Sequence, residues 1–311
     1  MAEITVKELN APVISDAEAL IASAEDKYHG RIEDVARYVV ENPLIRIILL
    51  AGPSGSGKTT TANLLADRIK AEGEQTLVVS LDDFYKNSDD PEYPLCPNGE
   101  RDFECPEALH LDTLRDTLLA ISSGEGFLLP KYDFKTGSRV SLTPCAPMPH
   151  GCVLVEGLHA LNPLICEALP SDKILKLFVS VSTNINHLGR RVLSGRKLRF
   201  IRRMVRDSIY RGADAERTLL MWEKVLAAED VYLYPYKETA DIAFDTFHAF
   251  EPGVMRPFAE GLISEELSER SDYVNTVITA LRMAEPISAE LIPQNSLIRE
   301  FIPGGIYEKL Y

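Results

Sequence analysis

The sequence predicts an α/β fold: a five-stranded parallel sheet flanked by helices, with a basic helical lid and an extension at each end. Three observations predict it. Short apolar, β-branched runs of strand length recur from residue 45 onward, helix-like patterns fall between them, and a glycine-rich turn joins the first run to the first of those helices.

In chain order, residues 1–43 read as an N-terminal helical extension. Ser15-Asp16 is placed to cap a helix that runs to Pro43, and Gly30 leaves open two helices instead of one. The β/α unit occupies 44–262. Its strands are expected at 45–51, 76–81, 152–157, 174–181 and 241–247, and its helices at 59–71, 106–122, 184–193 and 213–228. Residues 84–104, rich in Pro, Asp and Asn, are too polar for core and read as a loop over the sheet's top edge. Residues 263–311 form a C-terminal extension with one expected helix at 272–283 and a proline-bearing tail. That tail is either packed or partner-binding.

Composition narrows the function classes. The 311 residues are 45% hydrophobic, ample for a buried core, and carry neither a leader nor an apolar run long enough for a membrane helix, so a cytoplasmic location is expected. Cys96, Cys105, Cys145, Cys152 and Cys166 form no C-x-x-C pair and read as reduced, structural thiols. A net charge of −14 argues against general affinity for nucleic acid or anionic membrane. Yet residues 190–211 hold eight Arg, one Lys and one Asp, a local balance of +8 that leaves −22 for the remainder.

The stretch AGPSGSGKTTTANLL (51–65) has the spacing Gly52-x-x-x-x-Gly57-Lys58-Thr59 of the Walker A pattern. In that pattern backbone N–H groups of a glycine-rich turn and a helix N-terminus wrap a nucleotide's phosphates. Gly52, Ser54, Gly55, Ser56, Gly57, Lys58, Thr59 and Thr60 are the expected nucleotide-binding residues of a P-loop NTPase fold. Lys58 is expected on the β- and γ-phosphates and the Thr59 hydroxyl on Mg2+. No guanine-reading N-K-x-D element is present, which makes ATP the expected donor.

Ligands of an open parallel sheet gather at the carboxyl ends of its strands. Asp82, directly after the second run, is expected there as the base that accepts a hydroxyl proton and helps hold Mg2+; the alternative is that Asp82-Asp83 only caps a turn. Glu156 ends the third run, where a carboxylate holds Mg2+ through water, or is simply a solvated strand-end acid. Arg199, Arg202, Arg203 and Arg206 crowd at helical spacing, where like charges repel unless an anion sits among them. A solvated face and a nucleic-acid site are the alternatives to a lid whose arginines close over phosphates.

These pieces resemble the uridine kinase and phosphoribulokinase family of P-loop small-molecule kinases. The matching stretches are GPSGSGKTT, SLDDFY (80–85), RDFECPEAL (101–109), LPKYDFKTGSR (129–139), VLVEGLHAL (153–161), RRMVRDSIYRG (202–212) and YPYKETADIAF (234–244). The resemblance implies phosphotransfer from ATP with Mg2+ to a small-molecule acceptor, most simply the 5′-hydroxyl of a nucleoside. It implies Asp82 as base, Glu156 as the magnesium-linked acid, and Arg206 and Arg211 on phosphates. Arg203, Tyr85, Phe103, Glu104, Tyr132 and Arg139 are implied around the acceptor. The chain departs from uridine-cytidine kinases where the base is read: Glu104 stands for Asp, Gly137 for His, Ala213 for Arg, and Met221 lies near a Gln. That leaves a sugar phosphate or polyol as a second acceptor class, and a regulatory NTPase as a reading outside the kinases. His159 and Trp222 are read as packing residues first. Homo-oligomerisation is left open.

Overall fold

The computed structural model describes residues 2–96 and 99–310. A short strand, β1 (Glu3–Thr5), leads into the long helix α1 (Val6–Glu41). Thr5 and Glu8 form a reciprocal capping box at its start. At Asp16 the backbone leaves helical geometry (φ −165°), and the Asp16 carboxylate accepts from the Ala19 N–H. The expected cap at Ser15-Asp16 therefore marks a kink within a longer helix, and Gly30 does not interrupt it.

The β/α unit follows as β2 (Ile47–Ala51), α2 (Lys58–Ala71), β3 (Thr76–Ser80) and α3 (Leu111–Ser123). The antiparallel hairpin β4 (Phe127–Asp133) and β5 (Ser138–Cys145) is next, then β6 (Cys152–Glu156), the short α4 (Pro163–Cys166) and β7 (Ile174–Ser180). Strands β8 (Asn184–His187) and β9 (Arg190–Leu193) precede the helices α5 (Gly195–Arg211) and α6 (Ala215–Tyr232). Strand β10 (Ile242–Asp245) and helices α7 (Glu251–Leu262), α8 (Glu265–Arg270) and α9 (Asp272–Leu281) complete the sequence of elements.

Strands pair in the order β10-β7-β2-β6-β3, all parallel, which is the five-stranded sheet the apolar runs predict. The central strand β2 is buried at every residue, and its alternation divides the core. Ile48 and Leu50 face a cluster built with α1, α2, α5, α7 and α9, whereas Ile47, Leu49 and Ala51 face α3 and α4. Each buried Leu or Ile contributes about 1.5–3 kcal/mol, so the helices are held tightly enough to fix the strand ends where the chemistry sits.

Several expectations need correction. Residues 184–193 form strands instead of a helix: Leu188 (φ 49°) and Gly189 (φ 75°) make a two-residue left-handed turn, and β1 adds to β8 in parallel. The helix expected from Pro106 begins only at Leu111, after a single 3-10 turn at Pro106–Ala108. Within 84–104, Pro97 and Asn98 lie outside the described residues; the rest is mainly irregular, with a 3-10 turn ending at Phe84 and bridges from Tyr85 to Leu109 and from Leu95 to Arg101. The C-terminal tail packs onto the body: Leu297, Ile298, Phe301 and Ile302 are buried in the larger cluster, and the Tyr307 hydroxyl donates to Asp67 at 2.6 Å. Among the described residues, no helix is long and apolar enough to cross a membrane.

Candidate functional site

The turn between β2 and α2 is shaped by glycines whose φ angles are positive: Gly55 at 72° and Gly57 at 88°. It is also held from behind. Glu229 accepts from the Ser54 N–H at 2.8 Å and takes a two-pronged bond from Arg199, which in turn donates to the Ser54 carbonyl. Arg202 makes a second two-pronged bond, to Glu251 at 2.6 and 2.7 Å, and reaches the carbonyls of Gly55 and Thr246. The Thr246 hydroxyl donates to the Ser56 carbonyl at 2.8 Å. Arg199 and Arg202 are thus not poised above an anion, as their spacing suggests; they are fully buried supports of the loop backbone.

A cavity of about 210 Å³ opens beside this loop at the carboxyl ends of β3 and β6. Ser54, Gly55, Lys58, Thr59, Asp82, Tyr85, Glu104, Glu156, Arg203, Arg206 and Arg211 line it, all expected site residues. Gly52, Ser56, Gly57, Thr60, Phe103, Tyr132 and Arg139 do not. Gly57 lies under Leu297, and the Thr60 N–H donates to Glu300 at 3.1 Å. Phe103 is half exposed and contributes its carbonyl to the Tyr85 hydroxyl at 2.9 Å. Tyr132 packs at a tilt against Tyr85 and edge-on against Phe134. Arg139 is anchored through its backbone to Asn87. Sequence patterns gave no sign of Glu300, nor of Glu229 and Glu251.

A hydrogen-bond chain joins two strand ends paired in register. The Asp82 N–H donates to Ser80 Oγ at 3.4 Å, and Ser80 Oγ donates to Glu156 at 2.9 Å. Asp83 turns the other way, pairing with Lys131 at 3.0 Å and accepting from the Tyr132 N–H, so it anchors the β4–β5 hairpin while Asp82 faces the cavity. Burial pushes Glu156 up to about 7, against the pull of Lys58. Asp82 has accessible surface yet is enclosed by the cleft walls; that enclosure raises its carboxyl, Lys58, Arg211 and Arg206 oppose the rise, and the solvent-open side limits it. Burial likewise raises Glu104, opposed by Arg203.

Three arginines share one acid. Asp207 takes Arg203 at 3.2 Å, Arg206 at 2.8 Å and Arg211 at 3.5 Å. Repulsion from Arg206 is the main cause of a lowered Arg211, and Arg203 also donates to Ser54 Oγ at 2.8 Å. Glu300, 4.0 Å from Arg206, is a second and more distant acid, and two carboxylates for three guanidinium groups leave surplus positive charge at the rim, suited to an anion.

These residues fit a nucleotide phosphate chain and a magnesium ion. The left-handed glycines give the tight turn that sets the loop against the cavity, and Thr59 with Glu156 offers one hydroxyl and one carboxylate. Among the described residues no cluster of three or more acid, His or Cys ligands exists. His159 also lines the cavity; burial lowers it to about 4, and its Nδ1 has no hydrogen-bond partner among the described residues. The departures are structural too. Gly137 has φ 64°, and a Cβ there would stand 2.5 Å from Ser88 Oγ, so this hairpin turn has no room for a base-reading side chain.

A uridine kinase from Schizosaccharomyces pombe is 30% identical over 58% of this chain, although the aligned part is only 36% of that relative's length. A uridine kinase from Deinococcus deserti is 29% identical over 63% of this chain and 85% of its own. A solved protein from Silicibacter sp. TM1040, described as a candidate fructose transport system kinase, superposes with a TM-score of 0.49 at 19% identity, covering 68% of this chain and 98% of that one. The phosphoribulokinase/uridine kinase family profile matches residues 47–250, and the chain belongs to that family.

Proposed function

We propose that this protein transfers a phosphoryl group from ATP to a hydroxyl of a small acceptor, with the 5′-hydroxyl of a nucleoside as the leading candidate. The observation that supports this most is the convergence of Lys58, Asp82, Glu156 and the Arg203–Arg206–Arg211 group on one cavity. Lys58 and the loop N–H groups would hold the phosphates, and Thr59 with Glu156 would position Mg2+, which neutralises developing phosphate charge when bound. Asp82 would accept the proton of the attacking hydroxyl. Arg206 and Arg211 would draw charge from the transferred group. Tyr85, Glu104 and Arg203 would form the acceptor wall.

Asp82→Asn should bind ADP about as well as the parent protein and lose roughly 10³-fold or more in phosphotransfer. Near-parental turnover would remove Asp82 from the base's role. The acceptor is found by measuring ADP release across nucleosides, deoxynucleosides, sugar phosphates and polyols. The closed turn at Gly137 and the exposed Met221 favour a second reading, a sugar phosphate or polyol acceptor, because neither position supplies polar groups to reject base analogues. ATP consumption that ignores every small acceptor and rises with RNA or a protein would instead identify a regulatory NTPase.

A further inference from the structure

The loop that would take the donor's phosphates already holds a carboxylate from the far end of the chain. Glu300, 4% exposed, accepts the Thr60 N–H at 3.1 Å and lines the same cavity as Lys58 and Thr59. Thr60 is the third residue of α2, so its N–H is one of the donors at that helix start with no partner inside the helix. A phosphate bound to this loop would use those same donors. Beside it, Leu297 covers Gly57, and a Cβ added at that glycine would be only 2.7 Å from Leu297 Cδ1.

The covering segment is also tied to the arginine-bearing helix. The Tyr210 hydroxyl on α5 lies within donating distance of the Ile302 carbonyl at 3.2 Å and of Glu308 at 3.4 Å, both on the C-terminal tail; Arg202 lies 5.0 Å over the Phe301 ring, and Arg206 stands 4.0 Å from Glu300. Glu300 thus holds a loop donor and draws an arginine that the cleft would otherwise direct at phosphate.

We propose that residues 296–302 form an autoinhibitory strap: Glu300 occupies a phosphate position of the donor site, and nucleotide binds by displacing it. The inference rests on the phosphotransfer reading above. Displacement removes a negative charge from the phosphate path and releases Arg206 in one movement. Tyr210 ties the strap to α5, so donor binding, displacement of the strap and release of Arg206 are coupled.

The test is the affinity of the full chain for Mg·ADP by titration calorimetry. Glu300→Gln keeps the side chain's shape and its ability to accept from Thr60 while deleting the charge; it should bind ADP about tenfold more tightly than the parent. Tyr210→Phe, which loses the tether without touching the loop, should tighten binding by about threefold. A carboxylate that merely caps α2 predicts the opposite pattern, with both variants at parental affinity or weaker, and that result overturns the strap. If neither the parent nor Glu300→Gln binds ADP, the phosphotransfer reading fails and takes the strap with it. Equal, measurable affinities overturn the strap alone.

Discussion

Helix α5 carries two sets of arginines with opposite fates. Arg199 and Arg202 are shut inside the protein against Glu229 and Glu251, each pair with no more than 1% of side-chain surface exposed. Arg203, Arg206 and Arg211 gather round Asp207 at the cavity, with Glu300 as a more distant second acid beside Arg206. The first set is matched, acid for base, and shapes the backbone of the phosphate loop. The second is undermatched and leaves positive charge for an incoming anion. Placing a structural and a functional set on one helix holds the cavity arginines in a fixed position relative to the phosphate loop.

Breaking the matched set should have the largest effect. Arg202→Ala strands Glu251 in a dry site and removes the bonds to Gly55 and Thr246, so a loss of about 5 kcal/mol in unfolding free energy is expected by denaturant titration. Arg202→Met with Glu251→Leu should recover most of it, because two apolar groups leave no unpaired charge. A loss under about 1 kcal/mol for the single variant would mean the two sets are not different in kind. Breaking the undermatched set comes next. Arg206→Ala should unfold within about 1 kcal/mol of the parent yet lose about 10³-fold in turnover, roughly 4 kcal/mol at the transition state. A stability loss as large as that for Arg202→Ala would erase the contrast.

The difference between the two sets was invisible in the sequence, for a physical reason. Arginine spacing records which residues share a helix face, but not which carboxylates the fold delivers to them. Glu229 and Glu251 come from α6 and α7, and the carboxylate that accepts the Thr60 N–H lies 240 residues away. The sheet and the Walker loop were legible because each is written locally: buried parallel strands are continuous apolar runs, and the loop is set by glycine spacing. Residues 184–193 misled because polar and apolar positions mix there, and only the Leu188-Gly189 turn marks a hairpin. Asp82 and Glu156 were found by placing acids at strand ends; the serine that links them was not, since Ser80 gains its role only when β3 and β6 pair.

The smallest expected effect concerns a buried acid without the full partner that Glu229 and Glu251 possess. Among the described residues Glu156 has one hydrogen bond, from Ser80, and burial lifts it from 4.5 to about 7. The folded protein therefore holds this proton more tightly than the unfolded chain, and the stabilisation is fully present below pH 4.5. It is lost as pH rises from there through about 7, where the folded form also gives up the proton. The cost above pH 7 amounts to roughly 3 kcal/mol in the absence of a bound cation. Glu156→Gln, neutral at every pH, should accordingly unfold at higher temperature than the parent at pH 8, and the advantage should shrink steadily toward pH 4.5. Adding Mg·ADP should narrow the gap at pH 8 by stabilising the parent's carboxylate and not the amide. A pH-independent difference between the two proteins would show that Glu156 is as fully matched as the acids behind the loop, and that the contrast between supported and poised charges stops at the arginines.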